Sequence, residues 1–558
     1  MASGAKREGD PLTGSASDAS TKRIRMQGDD SSNNEPTNGS SSSSSSSSII
    51  SSLGRAEATP SVYELAGHRA LQPNRHSHRQ HQQQQQADQQ QQQQRVPDGW
   101  TPASWKSMPV KQQPTYSDPS QVDTALGRLR SLPPLVHWGE IDRLRKSLAD
   151  AAEGNCFVMQ GGDCAELFQY CNQTQIENKL KILLQMSLVL TWGARTPIVR
   201  IARIAGQYGK PRSSPTEVVD GKTVPSFRGD NVNGFELSER EANPDRLVQA
   251  YFHSAATLNY VRALVSGGFA DLRHPDNWTL EHVRLESTRR MYEDMVGRML
   301  DALHFTKTIG AAESHGLETV DLFVSHEGLL LDYESALTIP VNNQFYNVGT
   351  HFLWIGDRTR QLDHGHVEYF RGISNPIGVK VGPSTQPNEL VELIRTLNPC
   401  EIPGKVSLIT RYGCDKIQSS LPAHIAAVQA AGIKVAWICD PMHGNTESTA
   451  SGLKTRNFDK ILKELSLAFE IHQQHGRQLN GVHFELTGDT VTECTGGSVN
   501  LVEEDLSRNY QSFCDPRLNY EQSLDMAFLI ADFFQRRRGP ISRVSSSNDL
   551  AALAREAS

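Results

Sequence analysis

The sequence predicts an α/β fold: a (β/α)8 TIM barrel with an N-terminal extension and a helical insertion after the second strand. Three features lead to this prediction. Eight short apolar segments recur along the chain, helical patterns separate them, and many end at Gly, Asp, His or Arg. Continuous apolar runs are typical of parallel strands that are covered by helices, and eight β/α repeats favour a closed barrel. A doubly wound open sheet is the alternative.

Residues 1–98 form a segment of low complexity. They hold a serine run at 40–48 and glutamine runs at 82–86 and 89–94, and their ten basic and ten acidic residues cancel. Such a composition buries too little apolar surface to offset the entropy of ordering the chain. We therefore expect a disordered tail, followed over 99–155 by a linker and an N-terminal extension whose helix ends at Gly154.

The predicted strands begin at residue 156. Apolar residues at helical spacing separate the first two strands, follow the sixth as far as Gly432, and span 520–534 after the eighth. The barrel is therefore assigned to 156–540, and residues 541–558 to a flexible C-terminal tail. The strands are predicted at 156–160, 197–203, 321–325, 351–356, 377–382, 405–410, 434–439 and 482–486.

The connection between the second and third strands is unusually long. It runs from Arg203 to Asp321 and contains helical patterns around 245–265 and 292–309. A single crossover helix needs far fewer residues. The segment from about 218 to 315 is therefore predicted to be an inserted helical subdomain, serving oligomerisation, regulation or structural padding.

Composition argues against several classes of protein. The net charge of −7 disfavours binding of nucleic acid through a strongly basic surface. No apolar run approaches the ~18–20 residues that cross a bilayer, and the first residues lead into no apolar segment of a secretory signal. The eight cysteines form no CxxC pair, which excludes a zinc finger, and reduced thiols are expected. The motifs GxxxxGK[ST], GxGxxG, HExxH and GxSxG are absent.

Cations are concentrated at the carboxyl ends of the predicted strands, which form the catalytic face of such barrels. Any one of them alone is more often part of a surface ion pair. Six at equivalent positions indicate an anionic substrate, because arginine binds phosphate and carboxylate groups bidentately and lysine adds a point charge. The six are Arg203, Lys210, Arg212, Arg358, Lys380 and Arg411.

A second group of polar residues has the chemistry of a metal site. Cys164, His443 and Glu485 follow strands one, seven and eight, which are neighbours in a closed barrel, and Asp515 is a candidate fourth ligand. A thiolate, an imidazole and a carboxylate suit Mn²⁺, Co²⁺, Fe²⁺ or Zn²⁺ better than Mg²⁺ or Ca²⁺. A buried cysteine and a structural histidine are the alternative interpretation.

Eight long strings between residues 116 and 540 are specific to one family. They are MQGGDCAE, RIAGQYGKPRS, FRGDNVNGFE, SHEGLLLDYE, RTRQLD, GVKVGPS, CDPMHGNT and HFELTGDTVTEC. In these strings the chain resembles the class II (plant-type) 3-deoxy-D-arabino-heptulosonate 7-phosphate (DAHP) synthases. The resemblance implies a metal-dependent barrel enzyme that condenses phosphoenolpyruvate (PEP) with erythrose 4-phosphate in the first step of the shikimate pathway.

The resemblance also implies a role for each candidate residue. Asp357 stands where the family often has Glu, and its shorter side chain reaches less far. The implied metal ligands are Cys164, His443, Glu485 and Asp515. The implied PEP contacts are Arg203, Glu327, Asp357, Arg358, Lys380 and Arg411. The implied erythrose 4-phosphate contacts are Lys210, Arg212 and Ser213.

The expected mechanism uses the metal, Mn²⁺ or Co²⁺ before Zn²⁺ or Fe²⁺, to polarise the aldehyde of erythrose 4-phosphate. PEP C3 then attacks the aldehyde carbon, water adds at C2, and phosphate leaves by C–O cleavage. Catalysis centres on Lys380, Cys164 and His443, with Lys380 stabilising or protonating the reacting PEP. We also expect that, without metal, Cys164 and Cys514 could form a disulfide, although two unrelated thiols are an equal alternative.

Other functions remain open on these residues. An aminoDAHP synthase would share the metal and PEP positions. A catalytically idle regulatory paralogue would bind partners through the inserted helices. Another barrel aldolase would form a Schiff base on Lys380. A homo-oligomer and feedback by aromatic amino acids are expected by analogy. We expect a cytoplasmic location rather than a plastid, because Glu8, Asp10 and Asp18 are unusual in a transit peptide.

Overall fold

The computed structural model describes residues 96–219, 221–269, 286–308 and 321–538. The predicted N-terminal tail, apart from its last three residues, and the predicted C-terminal tail lie outside the described residues. Three parts of the predicted insertion, residue 220, 270–285 and 309–315, lie outside them as well.

Eight parallel strands close into a barrel, which confirms the predicted fold and excludes the doubly wound sheet. The strands pair in chain order, and the first strand also pairs with the eighth. Nearly all strand residues are buried, as their continuous apolar runs indicate. The strands are β1 Phe157–Gly162, β2 Ile198–Arg203, β3 Leu322–Glu327, β4 Phe352–Ile355, β5 Ile377–Val381, β6 Val406–Thr410, β7 Ala436–Cys439 and β8 Gly481–Glu485.

Helices surround the barrel, and two of them precede it. Helix α1 (Pro119–Ser131) begins where the Asp118 side chain accepts the N–H of Ser120. Helix α2 (Trp138–Ala152) ends before Gly154, whose φ of +83° favours glycine. The other helices are α3 Gln173–Ala194, α4 Asp245–Ser266, α5 Glu286–Thr308, α6 Leu331–Ala336, α7 Gly365–Phe370, α8 Pro387–Leu397, α9 Ile417–Ala430, α10 Phe458–Gln474 and α11 Tyr520–Arg538. Short 3₁₀ turns lie at Ser104–Ser107, Phe168–Tyr170, Leu237–Glu239 and Glu503–Arg508.

The insertion after β2 contains the two predicted helices, α4 and α5, but it begins with a hairpin that was not predicted. Thr216–Val219 pairs there with Lys222–Pro225. These arms are too short and too polar for strand periodicity to reveal them, although an Asp-Gly pair in the sequence between them is a typical signal of a hairpin. Two further hairpins pair Thr338–Val341 with Gln344–Asn347, and Thr446–Ser448 with Lys454–Arg456.

The N-terminal extension closes one end of the barrel. Leu144, Leu148 and Ala151 of α2 are buried in one apolar cluster with barrel residues that include Val158 and Ile438. The helix also contacts residues that lie shortly before strands, because Asn480 donates to the carbonyl oxygen of Ala151 and Arg145 donates to that of Ser374. Helix α2 therefore covers the amino ends of the strands, and the carboxyl ends stay free for a site. Among the helices described, none combines the length and apolar character needed to cross a membrane.

Candidate active site

The carboxyl ends of the barrel strands surround a cavity of about 370 Å³. All thirteen residues predicted for the site line this cavity. Glu327 belongs to β3, which extends two residues beyond the predicted strand. The thirteen are Cys164, Arg203, Lys210, Arg212, Ser213, Glu327, Asp357, Arg358, Lys380, Arg411, His443, Glu485 and Asp515.

The four predicted metal ligands lie together on one side of the cavity. The Sγ atom of Cys164 and carboxylate oxygens of Glu485 and Asp515 lie within 4.8 Å of one another. Nε2 of His443 lies 3.0 Å from Oε1 of Glu485. Strands β7, β8 and β1 are neighbours, so the barrel itself brings His443, Glu485 and Cys164 together. One sulfur, one nitrogen and two carboxylate donors fit a divalent transition metal ion.

Buried charges hold two of these ligands in place. Glu485 accepts hydrogen bonds from Arg203 at 3.0 Å and from Arg456 at 2.7 Å. Burial raises the pKa of Glu485, but the charges of His443, Arg456 and Arg203 outweigh it and hold that pKa well below its usual range. The Nδ1–H of His443 donates to Asp440 at 2.8 Å. A carboxylate in this position orients a metal-binding histidine and fixes its tautomer.

Lys210 lies against the predicted metal ligands. Its Nζ is 2.9 Å from the Sγ of Cys164 and forms an ion pair with Asp515. Lys454 binds the other oxygen of Asp515 at 2.8 Å. The thiol of Cys514 is hydrogen-bonded to Cys164, so the two cysteines of the predicted redox pair are in contact, and both are free thiols.

His483 links the two most buried cations of the cavity. Its Nε2 accepts hydrogen bonds from Arg203 at 2.6 Å and from Lys380 at 3.1 Å, and its Nδ1–H donates to Gln160 at 2.8 Å. Lys380 also pairs with Asp440. Burial lowers the pKa of Lys380 to about 8, although the charge of Asp440 opposes this shift. Lys380 therefore titrates closer to neutral pH than an ordinary lysine.

Arg411 lies between a carboxylate and the backbone of the next loop. Its Nη1 donates to Asp357 at 3.0 Å, and its Nη2 donates to the carbonyl oxygen of His443 at 3.0 Å. Asp357 also accepts a hydrogen bond from Arg360 at 3.1 Å. The shorter Asp357 thus reaches two arginines, one of which is a predicted PEP contact.

The remaining predicted contacts lie towards the mouth of the cavity. Arg358 and Ser213 are exposed and are hydrogen-bonded to each other at 3.2 Å. Arg212 pairs with Glu217 of the unpredicted hairpin. Glu327 has a buried Oε1 with no hydrogen-bond partner among the described residues, and burial raises the pKa of its carboxyl group.

Some residues of the site were not predicted from the sequence. His483 could have been found, because it lies two positions before Glu485 in β8 and alternate strand residues face the same side. Arg456, Lys454 and Glu217 sit on hairpin arms, where no spacing indicates that they reach the cavity.

Comparisons with known proteins agree with the resemblance seen in the sequence. The family model described as "Class-II DAHP synthetase family" matches residues 100–531. A phospho-2-dehydro-3-deoxyheptonate aldolase of Neurospora crassa is 55% identical over 458 residues, which cover 79% of this chain and 95% of that protein. Proteins of the same name from Streptomyces coelicolor and Mycolicibacterium smegmatis are 48% and 44% identical over 436 residues each. The match to the Streptomyces coelicolor protein covers 77% of this chain and 97% of that protein. The match to the Mycolicibacterium smegmatis protein covers 76% of this chain and 93% of that protein.

Proposed function

The chain belongs to the class-II DAHP synthetase family, and we propose that it condenses PEP with D-erythrose 4-phosphate and water to give DAHP and phosphate. This reaction is the first step of the shikimate pathway and makes the protein a transferase. The observation that supports it best is the cavity at the carboxyl ends of the strands. That cavity gathers every residue that the sequence predicts for the metal and the two phosphorylated substrates.

We assign the two substrates to two parts of the cavity. Arg203, Arg358, Lys380 and Arg411 bind PEP, with Glu327 and Asp357 beside them. Lys210, Arg212 and Ser213 bind erythrose 4-phosphate. The contact of Lys210 with Cys164 and Asp515 supports this division, because it puts the erythrose 4-phosphate residues next to the metal ligands.

The resident ion in this proposal is Mn²⁺ or Co²⁺, with Zn²⁺ or Fe²⁺ as alternatives, and Cys164, His443, Glu485 and Asp515 hold it. When bound, such an ion supplies Lewis acidity towards the aldehyde oxygen. The mixed donor set and the low pKa of Glu485 support this assignment, since an ionised carboxylate is the form that binds a metal.

The protein's own residues position the reactants and move protons. Arg203 and Arg411 hold the PEP anion so that its C3 faces the aldehyde carbon, where the new C–C bond forms. Such positioning is worth about 7–11 kcal/mol of the barrier. Lys380, with a pKa of about 8, donates a proton near the reacting PEP. Glu327, whose pKa burial raises, is the neighbouring carboxyl group that can hold a proton when water adds at C2. Phosphate then leaves by cleavage of its C–O bond.

Three further predictions from the sequence accompany this proposal. We propose a homo-oligomer, feedback by aromatic amino acids through residues 218–315 or 116–155, and a location in the cytoplasm. The helix α2 within 116–155 packs beneath the barrel, so an effector that moved it would act on the core.

A choice between sugar phosphates tests the proposed reaction. The purified full chain is given Mn²⁺, PEP and either erythrose 4-phosphate or its amino-sugar analogue, and phosphate release is followed. We expect the higher kcat/KM with erythrose 4-phosphate. A preference for the amino sugar would indicate an aminoDAHP synthase, and borohydride trapping of substrate on Lys380 would indicate a Schiff-base aldolase.

A further inference from the structure

The loops that follow β6 and β7 contact each other through their backbones. Arg411 begins the first loop and His443 lies in the second. A Cβ atom added to Gly444 would lie 2.2 Å from the backbone nitrogen of Gly413, so the two glycines meet with no room for a side chain. The hydrogen bond from Arg411 to the carbonyl oxygen of His443 adds a second contact. At this point neither loop can shift without displacing the other.

One carboxylate from a third element binds both loops. Glu464 lies on α10 and is fully buried. Its Oε1 accepts the N–H of Tyr412 at 2.8 Å and the N–H of Gly413 at 2.9 Å. Its Oε2 accepts the Nδ2–H of Asn445 at 2.6 Å. The Oδ1 of Asn445 in turn accepts the N–H of Cys414 at 3.0 Å, which closes a ring between the loops.

The surroundings of Glu464 are unusual for a carboxylate that serves only the fold. All three of its hydrogen-bond donors are neutral groups. Burial raises the pKa of Glu464 to about 7, although the N–H groups of Tyr412 and Gly413 oppose the shift. Burying a carboxyl group without a cation is unfavourable. An apolar side chain would fill the same space but would leave the N–H groups of Tyr412 and Gly413 without an acceptor, so the carboxylate fixes the backbone of the Arg411 loop as well as filling space.

We propose that Glu464 is a positioning residue that holds the Arg411 loop and the His443 loop in one fixed arrangement. It would thereby keep Arg411, a proposed PEP contact, at a constant distance from His443, a proposed metal ligand. Glu464 does not line the cavity and acts only through Tyr412, Gly413 and Asn445. The inference rests on the proposed function, from which the roles of Arg411 and His443 come.

The test uses the full chain with Glu464→Gln. Glutamine keeps the shape, and its amide oxygen can still accept the two backbone N–H groups, but its NH₂ group then faces the NH₂ group of Asn445. Only the link to the His443 loop is lost. Asn445→Ala removes this link from the other side and also removes the hydrogen bonds of Asn445 with the N–H of Cys414 and the carbonyl oxygen of Pro441. Glu470→Gln, an exposed residue of the same helix, controls for the change in charge.

Three quantities are measured: the Mn²⁺ dissociation constant by equilibrium dialysis without substrate, the KM for PEP, and the Tm. We expect Mn²⁺ affinity to fall about 10-fold in Glu464→Gln and in Asn445→Ala, as for other groups that orient a metal ligand. The KM for PEP should rise in both, and Glu470→Gln should match the parent chain. The double variant should be no worse than Asn445→Ala alone, because Asn445→Ala already breaks the link that Glu464→Gln breaks.

Either of two results would overturn the inference. One is a folded Glu464→Gln variant with a lower Tm but unchanged Mn²⁺ affinity and unchanged KM, which would mean a purely structural role. The other is a double variant that binds Mn²⁺ more weakly, or has a higher KM for PEP, than Asn445→Ala alone. If Glu464→Gln does not fold, Asn445→Ala tests the same link. If the parent chain does not consume PEP, the proposed function fails, and the Mn²⁺ affinities still decide the inference.

Discussion

Replacing Arg411 by alanine should separate substrate binding from folding. The Arg411 side chain is 26% exposed, and its two hydrogen bonds, to Asp357 and to the His443 carbonyl oxygen, are 3.0 Å long. Asp357 keeps Arg360 as a partner. Losing the part-exposed ion pair between Arg411 and Asp357 should therefore lower the free energy of unfolding by about 1 kcal/mol or less. A hydrogen-bonded charge pair with PEP contributes about 1.5–3 kcal/mol. The KM for PEP should therefore rise about 10- to 150-fold.

The measurement is the initial rate against PEP concentration at saturating erythrose 4-phosphate and Mn²⁺, together with urea unfolding. We expect kcat to change much less than KM, because the lost contact binds the substrate before and during the reaction. Arg395→Ala, an exposed arginine on α8, is the matched control. An unchanged KM in a folded Arg411→Ala variant would refute the assignment of Arg411 to PEP. A large decrease in the free energy of unfolding would refute the expectation that the fold tolerates the loss of the two Arg411 hydrogen bonds.

Two further predictions concern Lys380 and the packing of α3 on α11. Because burial holds the pKa of Lys380 near 8, below the ordinary 10.5, the ammonium group is lost above that pH and the KM for PEP should rise there. Lys380→Arg should show no such rise, since guanidinium stays charged. Between pH 8 and 10.5 the unfolded chain binds this proton and the folded chain does not, so the contribution of Lys380 should increase the free energy of unfolding with pH. A Cβ atom added to Gly193 would lie 2.2 Å from the Cβ of Ala531, so Gly193→Ala should lower the free energy of unfolding by about 1–3 kcal/mol without changing the KM for PEP. Gly127→Ala on α1, where the added Cβ meets nothing within 4 Å, should not destabilise the chain, and an equal loss in both variants would contradict this account of the packing.

The barrel could be predicted from the sequence because its strands are buried on both faces. Burial gives each strand a continuous apolar run, and every predicted strand lies within two residues of the observed one at each end. The three hairpins give no such signal, because their arms are three or four residues long and partly exposed. The sequence also does not indicate the role of α2. Its helical pattern shows an apolar face but not that this face closes the end of the barrel.

The part of the site that lies at the ends of the strands could be predicted from the sequence. Cys164, His443 and Glu485 lie at or just after the carboxyl ends of adjacent strands, so chain order alone brings them together. Arg456 and Glu464 reach the site or its loops from a hairpin arm and a helix. Their contribution depends on how those elements pack against the barrel, and no spacing in the sequence records that packing.

The most direct test of the central claim follows both substrates in one reaction. The purified full chain is incubated with PEP and erythrose 4-phosphate, first with a chelator and then after Mn²⁺ or Co²⁺ is added back. We predict equal consumption of the two substrates with one phosphate released per PEP, loss of the reaction in the chelator, and recovery with the metal. Intact PEP in the presence of added metal would contradict the claim.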